Sequence, residues 1–485
     1  MATTKTFEMK VVLSIVLLIS SVANGAHEDG KDGKDGKDGK DGTCNLYDRR
    51  GLTEPGGGVQ GQMMSITHPA TTGGKNSGIV QPSAAGKVSS TVHTAAPLGK
   101  SGAPAAGGAP AAGGATAATV FDVSKCPNAK GDGVTDSTQG VMKAWEDACN
   151  ATTTTKILIP KGDWLTAELD FTGPCTAVPP IIIELQGNLK AKPDCKSFPS
   201  GMWINIYKAS VKIMGGGTID GQGCDAWKTK KSGGDALPDS LCITQCPDSS
   251  AENINILNSK GFNMKIVESN NFVANNLNIT CAGDSPNTDG IHIGKVKSVR
   301  VTNSVIGVGD DCISIGDDSV DVTISNITCG PGHGISIGSL GRYPNEKDVK
   351  NIFVSNVTFL NTTNGARIKT MHESPVLAAT NITFQDIIVH HTFNPIIIDQ
   401  HYFADKPGPS KVKISGVKFK NIKGTSLSNV VVSLNCSDAA PCEGIDLADI
   451  DFTYTGNSTN TTLGSECCHA KATFGGKMNP PGCVI

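Results

Sequence analysis

An all-β solenoid, a parallel β-helix with a short N-terminal capping helix, is the fold that the sequence predicts. Three observations carry it. First, Asp289, Asp311 and His333 recur 22 residues apart, each within two residues of a glycine, and each leads into a short apolar strand: Ile291-His292-Ile293, Ile313-Ser314-Ile315 and Ile335-Ser336-Ile337. Short strands at a fixed period stack into coils. Second, β-branched runs such as Val299-Arg300-Val301, Val322-Thr323-Ile324 and Ile352-Phe353-Val354 lie between them. No long helical pattern separates these runs, which argues against βαβ units. Third, 57 glycines in 485 residues, with 18% charged residues, point to many turns and few long solvated helices.

Taken in order, the chain opens with Lys5 and Lys10, an apolar run from Val11 to Val22, and a small-residue exit at Ala23-Asn24-Gly25. This reads as a secretory signal over residues 1–25. The run is too short to cross a membrane, and no later stretch approaches about twenty apolar residues. Residues 26–119 show no hydrophobic period. Gly30 to Gly42 repeats Gly-Lys-Asp four times, and Ala103 to Ala118 is rich in Ala, Gly and Pro. Such composition buries too little apolar area to offset chain entropy, so a disordered extension or pro-segment is expected. A cell-wall tether is the alternative reading.

The β-helix is expected over 120–485. Gly131-Asp132-Gly133 reads as a turn, and Ser137 to Cys149 as a helix with Val141, Ala144, Trp145 and Ala148 on one face. An open solenoid end needs a cover, which makes Trp145 a core residue. Ile157-Leu158-Ile159, Ile181-Ile182-Ile183 and Val211-Lys212-Ile213 begin the strands. A net charge of −3 leaves no basic footprint for nucleic acid. Sixteen cysteines in an exported chain favour disulfides over metal sites. Nine Asn-x-Ser/Thr sequons agree with export. Several fall inside predicted strands, where a structural Asn is the competing reading.

The repeat continues past His333. Ala366-Arg367-Ile368-Lys369 occupies the next motif strand, and Pro395-Ile396-Ile397-Ile398 begins the one after, with Tyr402 following. One face would then hold Asp289, Asp310, Asp311, His333, Arg367 and Lys369. Carboxylates this close raise the pKa of one of them, giving an acid that holds a proton. A protonated and an ionised carboxyl together suit glycoside hydrolysis; a separation of about 6.5–9.5 Å leaves room for a water and gives inversion. Arg367 and Lys369 alternate with Ile368 and so share a face. They either grip an anionic ligand or pair with the aspartates themselves. The glycines around His333 mark a turn, or close approach of something to the backbone. Tyr402 taken alone reads as a packed aromatic.

In phase and in order, Asn287-Thr288-Asp289-Gly290, Gly309-Asp310-Asp311, Gly332-His333-Gly334, Arg367-Ile368-Lys369 and Tyr402 resemble the signature of polygalacturonases, the family 28 pectinases. The resemblance covers Val120 to the C-terminus. Gly283-Asp284-Ser285-Pro286 and Gly338-Ser339-Leu340-Gly341-Arg342-Tyr343 look most like plant pollen exopolygalacturonases. The family implies a right-handed β-helix and metal-free, cofactor-free, inverting hydrolysis of α-1,4-galacturonan by a secreted, monomeric cell-wall enzyme. It implies that Asp310 protonates the glycosidic oxygen and that Asp289 and Asp311 activate the water. His333 would tune the acid. Arg367 and Lys369 would hold the sugar carboxylate, and Tyr402 would position the sugar. Asn287 would bind substrate or orient Asp289. Polygalacturonate is the implied partner, with no nucleic acid and no membrane. The chain departs from the family at Phe403-Ala404-Asp405-Lys406, where plant relatives usually carry a cysteine pair, and in the 26–119 extension. Four bridges are expected: Cys44 with Cys126, Cys312 with Cys329, Cys436 with Cys442, and Cys467 or Cys468 with Cys483. An endo-acting relative, a calcium-dependent pectate lyase using Asp317-Asp318, and a non-catalytic pectin-binding β-helix are the rival readings.

Overall fold

A computed structural model describes residues 117–231, 236–403, 408–459 and 461–483. The segment expected to be a signal peptide, nearly all of the expected extension, and Cys44 fall outside the described residues. The first strand among the described residues is Thr119–Asp122, and the strands of both sheets pair in parallel. An eleven-stranded sheet runs from Leu169–Thr172 to Gly464–Cys468, and a second, larger sheet wraps the rest of each coil. The result is a right-handed parallel β-helix.

Alternation decides which side chains enter the core. Strand Thr154–Ile159 buries every second residue, and so does Val320–Cys329 away from its corner. Ile291, Ile313 and Ile335 stack in register down the inside, as do Ile293, Ile315 and Ile337, and all six are fully buried. Phe384 and Phe419 are register partners whose rings stack at 5.5 Å.

The corners are made by asparagine. Asn303, Asn326 and Asn356 adopt positive φ of 54°, 56° and 51°, a region that Asn tolerates better than most residues. Their side chains form a ladder from coil to coil: Asn326 Nδ2 donates to Asn303 Oδ1 at 2.7 Å, and Asn356 Nδ2 to Asn326 Oδ1 at 3.3 Å. The sequons at Asn326 and Asn356 therefore serve as corner residues.

The helix Thr138–Asn150 caps the first coils. Val141, Ala144, Trp145 and Ala148 are its buried face, and Trp145 stacks on Phe171 at 4.8 Å. Cys149 is bridged to Cys175, a pairing with no signal in the sequence. A second helix, Cys224–Lys231, was not expected; it is anchored by Trp227, whose Nε1 donates to Ser259 O at 2.9 Å. The segment Gly131-Asp132-Gly133 leads into a strand, Asp132–Asp136, with the turn held by Asp132 Oδ1 accepting from Val134 N and Thr135 N. Cys312–Cys329, Cys436–Cys442 and Cys467–Cys483 are formed as expected. Cys126 is a free thiol, so the expected bridge to Cys44 is not formed among the described residues. No helix among the described residues is long and apolar enough to cross a membrane.

Candidate active site

The eleven-stranded sheet carries the polar positions in register. His292 lies opposite Ser314, Ser314 opposite Ser336, and Ser336 opposite Arg367. Because the flanking isoleucines point inward, these side chains point out. Three residues before His292, Ser314 and Ser336, respectively, Asp289, Asp311 and His333 lie in the turns leading into the strands.

Asp311 is 1% exposed and fully engaged. Ser336 Oγ donates to its Oδ1 at 2.8 Å, Arg367 Nη2 to Oδ1 at 2.7 Å, and Lys369 Nζ to Oδ2 at 2.9 Å. Burial works against its charge, but Lys369 and Arg367 overcome it and hold this carboxyl well below the usual range. Of the two readings of the cations, pairing with an aspartate is thus the one formed within the protein. Arg367 Nη1 and two N–H groups of Lys369 take no part in these bonds. The Tyr402 ring lies 5.0 Å from Lys369 Nζ and 5.9 Å from Arg367 Cζ, so Tyr402 packs on the cations rather than on the apolar core.

Asp289 has the opposite surroundings. It is buried, its Oδ2 accepts from Ser314 Oγ at 2.7 Å, and Oδ1 has no protein hydrogen bond among the described residues. Burial first, then the charges of Asp310 and Asp311, push its carboxyl well above the ordinary value. Crowding was expected to raise one carboxyl and make it the acid; the raised one is Asp289, not Asp310, and burial outweighs crowding as the cause.

Asp310 is the carboxyl that opens to solvent, with its side chain 20% exposed. Its Oδ1 accepts from Asp311 N at 2.8 Å and lies 3.0 Å from His333 Nδ1. Asn287 Nδ2 is 3.5 Å from its Oδ2. Of the two readings of Asn287, binding substrate or orienting Asp289, the second is not formed: its amide reaches Asp310 instead. Burial disfavours charge on His333, but the bond to Asp310 and the charges of Asp310 and Asp311 raise its pKa. The protonated ring then donates Nδ1–H to Asp310.

The glycines beside His333 serve coil packing. A Cβ on Gly332 would stand 2.8 Å from Asp310 O, and one on Gly334 would stand 2.2 Å from Asn364 O. What approaches the backbone here is the neighbouring coil.

Asp310, Asp311 and His333 bring ligand atoms within 4.8 Å of one another. The donor set does not suit a cation, because Asp311 already serves two cationic side chains and His333 Nδ1 is bonded to Asp310. Asp318, half of the alternative calcium pair, is bound by Lys347 Nζ at 2.6 Å, as a solvated turn would be. The sequence reading named neither Ser314, Ser336 nor His292 as a functional position. Their signal was the outward residue of each Ile-x-Ile strand.

A buried acid cluster with two cations, on the outer face of a parallel β-helix, defines a carbohydrate-hydrolase site. The chain belongs to the glycosyl hydrolases family 28, whose model matches residues 149–471. It is 43% identical over 374 residues to an exopolygalacturonase of Zea mays, covering 75% of this chain and 90% of that one. It is 40% identical over 371 residues to a polygalacturonase of Nicotiana tabacum, covering 75% and 92%. Among solved structures, the endo-xylogalacturonan hydrolase of Aspergillus tubingensis aligns with a TM-score of 0.62 and 25% identity, covering 73% of this chain and all of that one.

Proposed function

We propose that the protein is a secreted, monomeric polygalacturonase that hydrolyses α-1,4-galacturonosyl linkages with inversion, removing sugars from the non-reducing end. One observation carries the reading most of the way: three adjacent carboxyls have been given three different environments. Asp311 is locked to cations, Asp289 is raised and has a bare oxygen, and Asp310 opens to solvent.

Those environments divide the work. Asp310 delivers its proton to the glycosidic oxygen, with His333 and Asn287 fixing the carboxyl plane. Asp289 takes the proton of a water through its bare Oδ1, and that water attacks the anomeric carbon from the opposite face as the C–O bond breaks. In its ionised form a carboxylate with a raised pKa is a stronger base than one held down by cations, so ionised Asp289 rather than Asp311 accepts the proton. Asp311 holds Arg367 and Lys369 in place. Their remaining N–H groups bind the galacturonate carboxylate, bidentately for Arg and as a point charge for Lys, and Tyr402 backs them. The exo mode is supported by likeness to a plant enzyme called an exopolygalacturonase, and secretion by the apolar N-terminal run.

Purified protein is incubated with polygalacturonate and excess chelator. New reducing ends, saturated products and monomer alone at early times are expected. An unsaturated product, or loss of activity with chelator, would make it a lyase. Mixed oligomers would make it endo-acting.

A further inference from the structure

We infer that Ser314 and His292 act as a positioning relay for Asp289, running His292 Nδ1–H to Ser314 Oγ–H to Asp289 Oδ2. The inference rests on Asp289 being the proton acceptor proposed above.

With Asp289 ionised, as a proton acceptor must be, the direction of each bond follows. Ser314 Oγ lies 2.7 Å from Asp289 Oδ2 and 2.9 Å from His292 Nδ1. A hydroxyl has one proton. Given to the carboxylate, it leaves the oxygen to accept from the imidazole, so the proton of His292 sits on Nδ1. Burial and the nearby charge of Lys265 push the His292 pKa down to about 3, so the ring that donates is neutral.

One coil further on, the same motif has a different donor. Ser336 donates to Asp311 and accepts from Arg367 Nε at 2.8 Å. Both aspartates thus receive a serine hydroxyl from the following coil. Behind Ser336 stands a guanidinium that also touches Asp311, and behind Ser314 stands an uncharged ring that does not touch Asp289. A cationic donor would fix the carboxylate at the expense of its basicity. A neutral one aims Oδ2, and so presents Oδ1 to the water, while leaving the group able to accept a proton. The other charged groups acting on Asp289 include Asp310, Asp311, Lys369 and Lys265; those acting on His292 include Lys265, Asp311 and Lys369, with Phe262 against the ring at 5.3 Å. None of them is altered by a change at Ser314.

The test compares Ser314→Ala, Ser314→Thr, His292→Gln and Asp289→Asn by kcat and KM against pH, with thermal unfolding as a control for folding. Ser314→Ala is expected to lower kcat roughly ten- to hundredfold, as for loss of a hydrogen bond to a charged group. KM should be unchanged, and the acidic limb of the kcat profile should move to higher pH. Ser314→Thr keeps the hydroxyl and His292→Gln keeps a neutral N–H donor, so both should hold the limb at the wild-type position. A Ser314→Ala enzyme whose limb stays in place, whatever its kcat, overturns the relay. If Asp289→Asn abolishes turnover in that case, the base assignment survives and only the relay falls. An active Asp289→Asn enzyme overturns both.

Discussion

Asparagine at two stacked positions should move stability in opposite directions while lowering turnover at both. Asp311 is 1% exposed and bonded to Arg367, Lys369 and Ser336 at 2.7, 2.9 and 2.8 Å. Asp311→Asn leaves two buried cations without their counter-charge and turns an amide N–H toward Lys369. Breaking a buried pair from one side costs about 3–5 kcal/mol, roughly 5 °C or more in Tm for a chain of this size. Asp289 touches no cation and faces two like charges. Its raised pKa means that the folded state holds the proton more tightly than the unfolded chain. Stability is therefore lost as pH rises through the folded value, by about 1.4 kcal/mol per unit of upward shift. Asp289→Asn removes that penalty. At pH 7 it should melt above the wild type, and at pH 4 the gain should shrink. Asp311 has a depressed pKa, so its contribution is present above the unfolded value and fades only as pH falls through the folded one; its deficit should largely persist at pH 4. Thermal unfolding of both variants at both pH values reads this directly. Equal destabilisation by the two changes would refute the account of the site's electrostatics.

Three further outcomes follow from the same geometry. Asp310→Asn should retain binding of oligogalacturonides, measured by calorimetry, while turnover falls at least about 10²-fold, the scale of general-acid loss; unchanged turnover would remove Asp310 from that role. The raised pKa of His333 places its deprotonation above the ordinary histidine value. Activity that depends on the protonated ring should fall as pH rises through that value, and His333→Gln should lack this alkaline limb. Replacing Cys312 and Cys329 together by serine opens a 17-residue closure beside Asp311. A loss of about 3 kcal/mol is expected, measurable as a lower denaturation midpoint.

The fold was legible because coil spacing is a sequence property. A period of 22 with β-branched strands determines stacking, and period-2 alternation then sorts inside from outside. Carrying that phase forward placed Arg367 and Lys369 beside Asp311, where the structure has them. What resisted reading was direction within the face. Nothing in the spacing says that both cations fold back onto Asp311, or that the Asn287 amide turns to Asp310, because a turn residue at φ 51° aims its side chain by backbone geometry. The raised carboxyl could not be chosen from among three by counting charges; it depends on which one the cations reach. Ser314, Ser336 and His292 were quoted only as strand fillers, although alternation alone puts them on the face of the acids. The Cys149–Cys175 bridge joins the capping helix to a later turn, a contact that no local pattern encodes.

The central claim is direct attack by water on an α-galacturonosyl bond, with the carboxyls sharing the proton work. Proton NMR of the first turnovers on an α-linked galacturonide tests it in one spectrum, before the free sugar mutarotates. The account predicts that the β-anomer of galacturonate appears first and the α-anomer grows in later. An α-anomer formed first, or an unsaturated uronate, would contradict it.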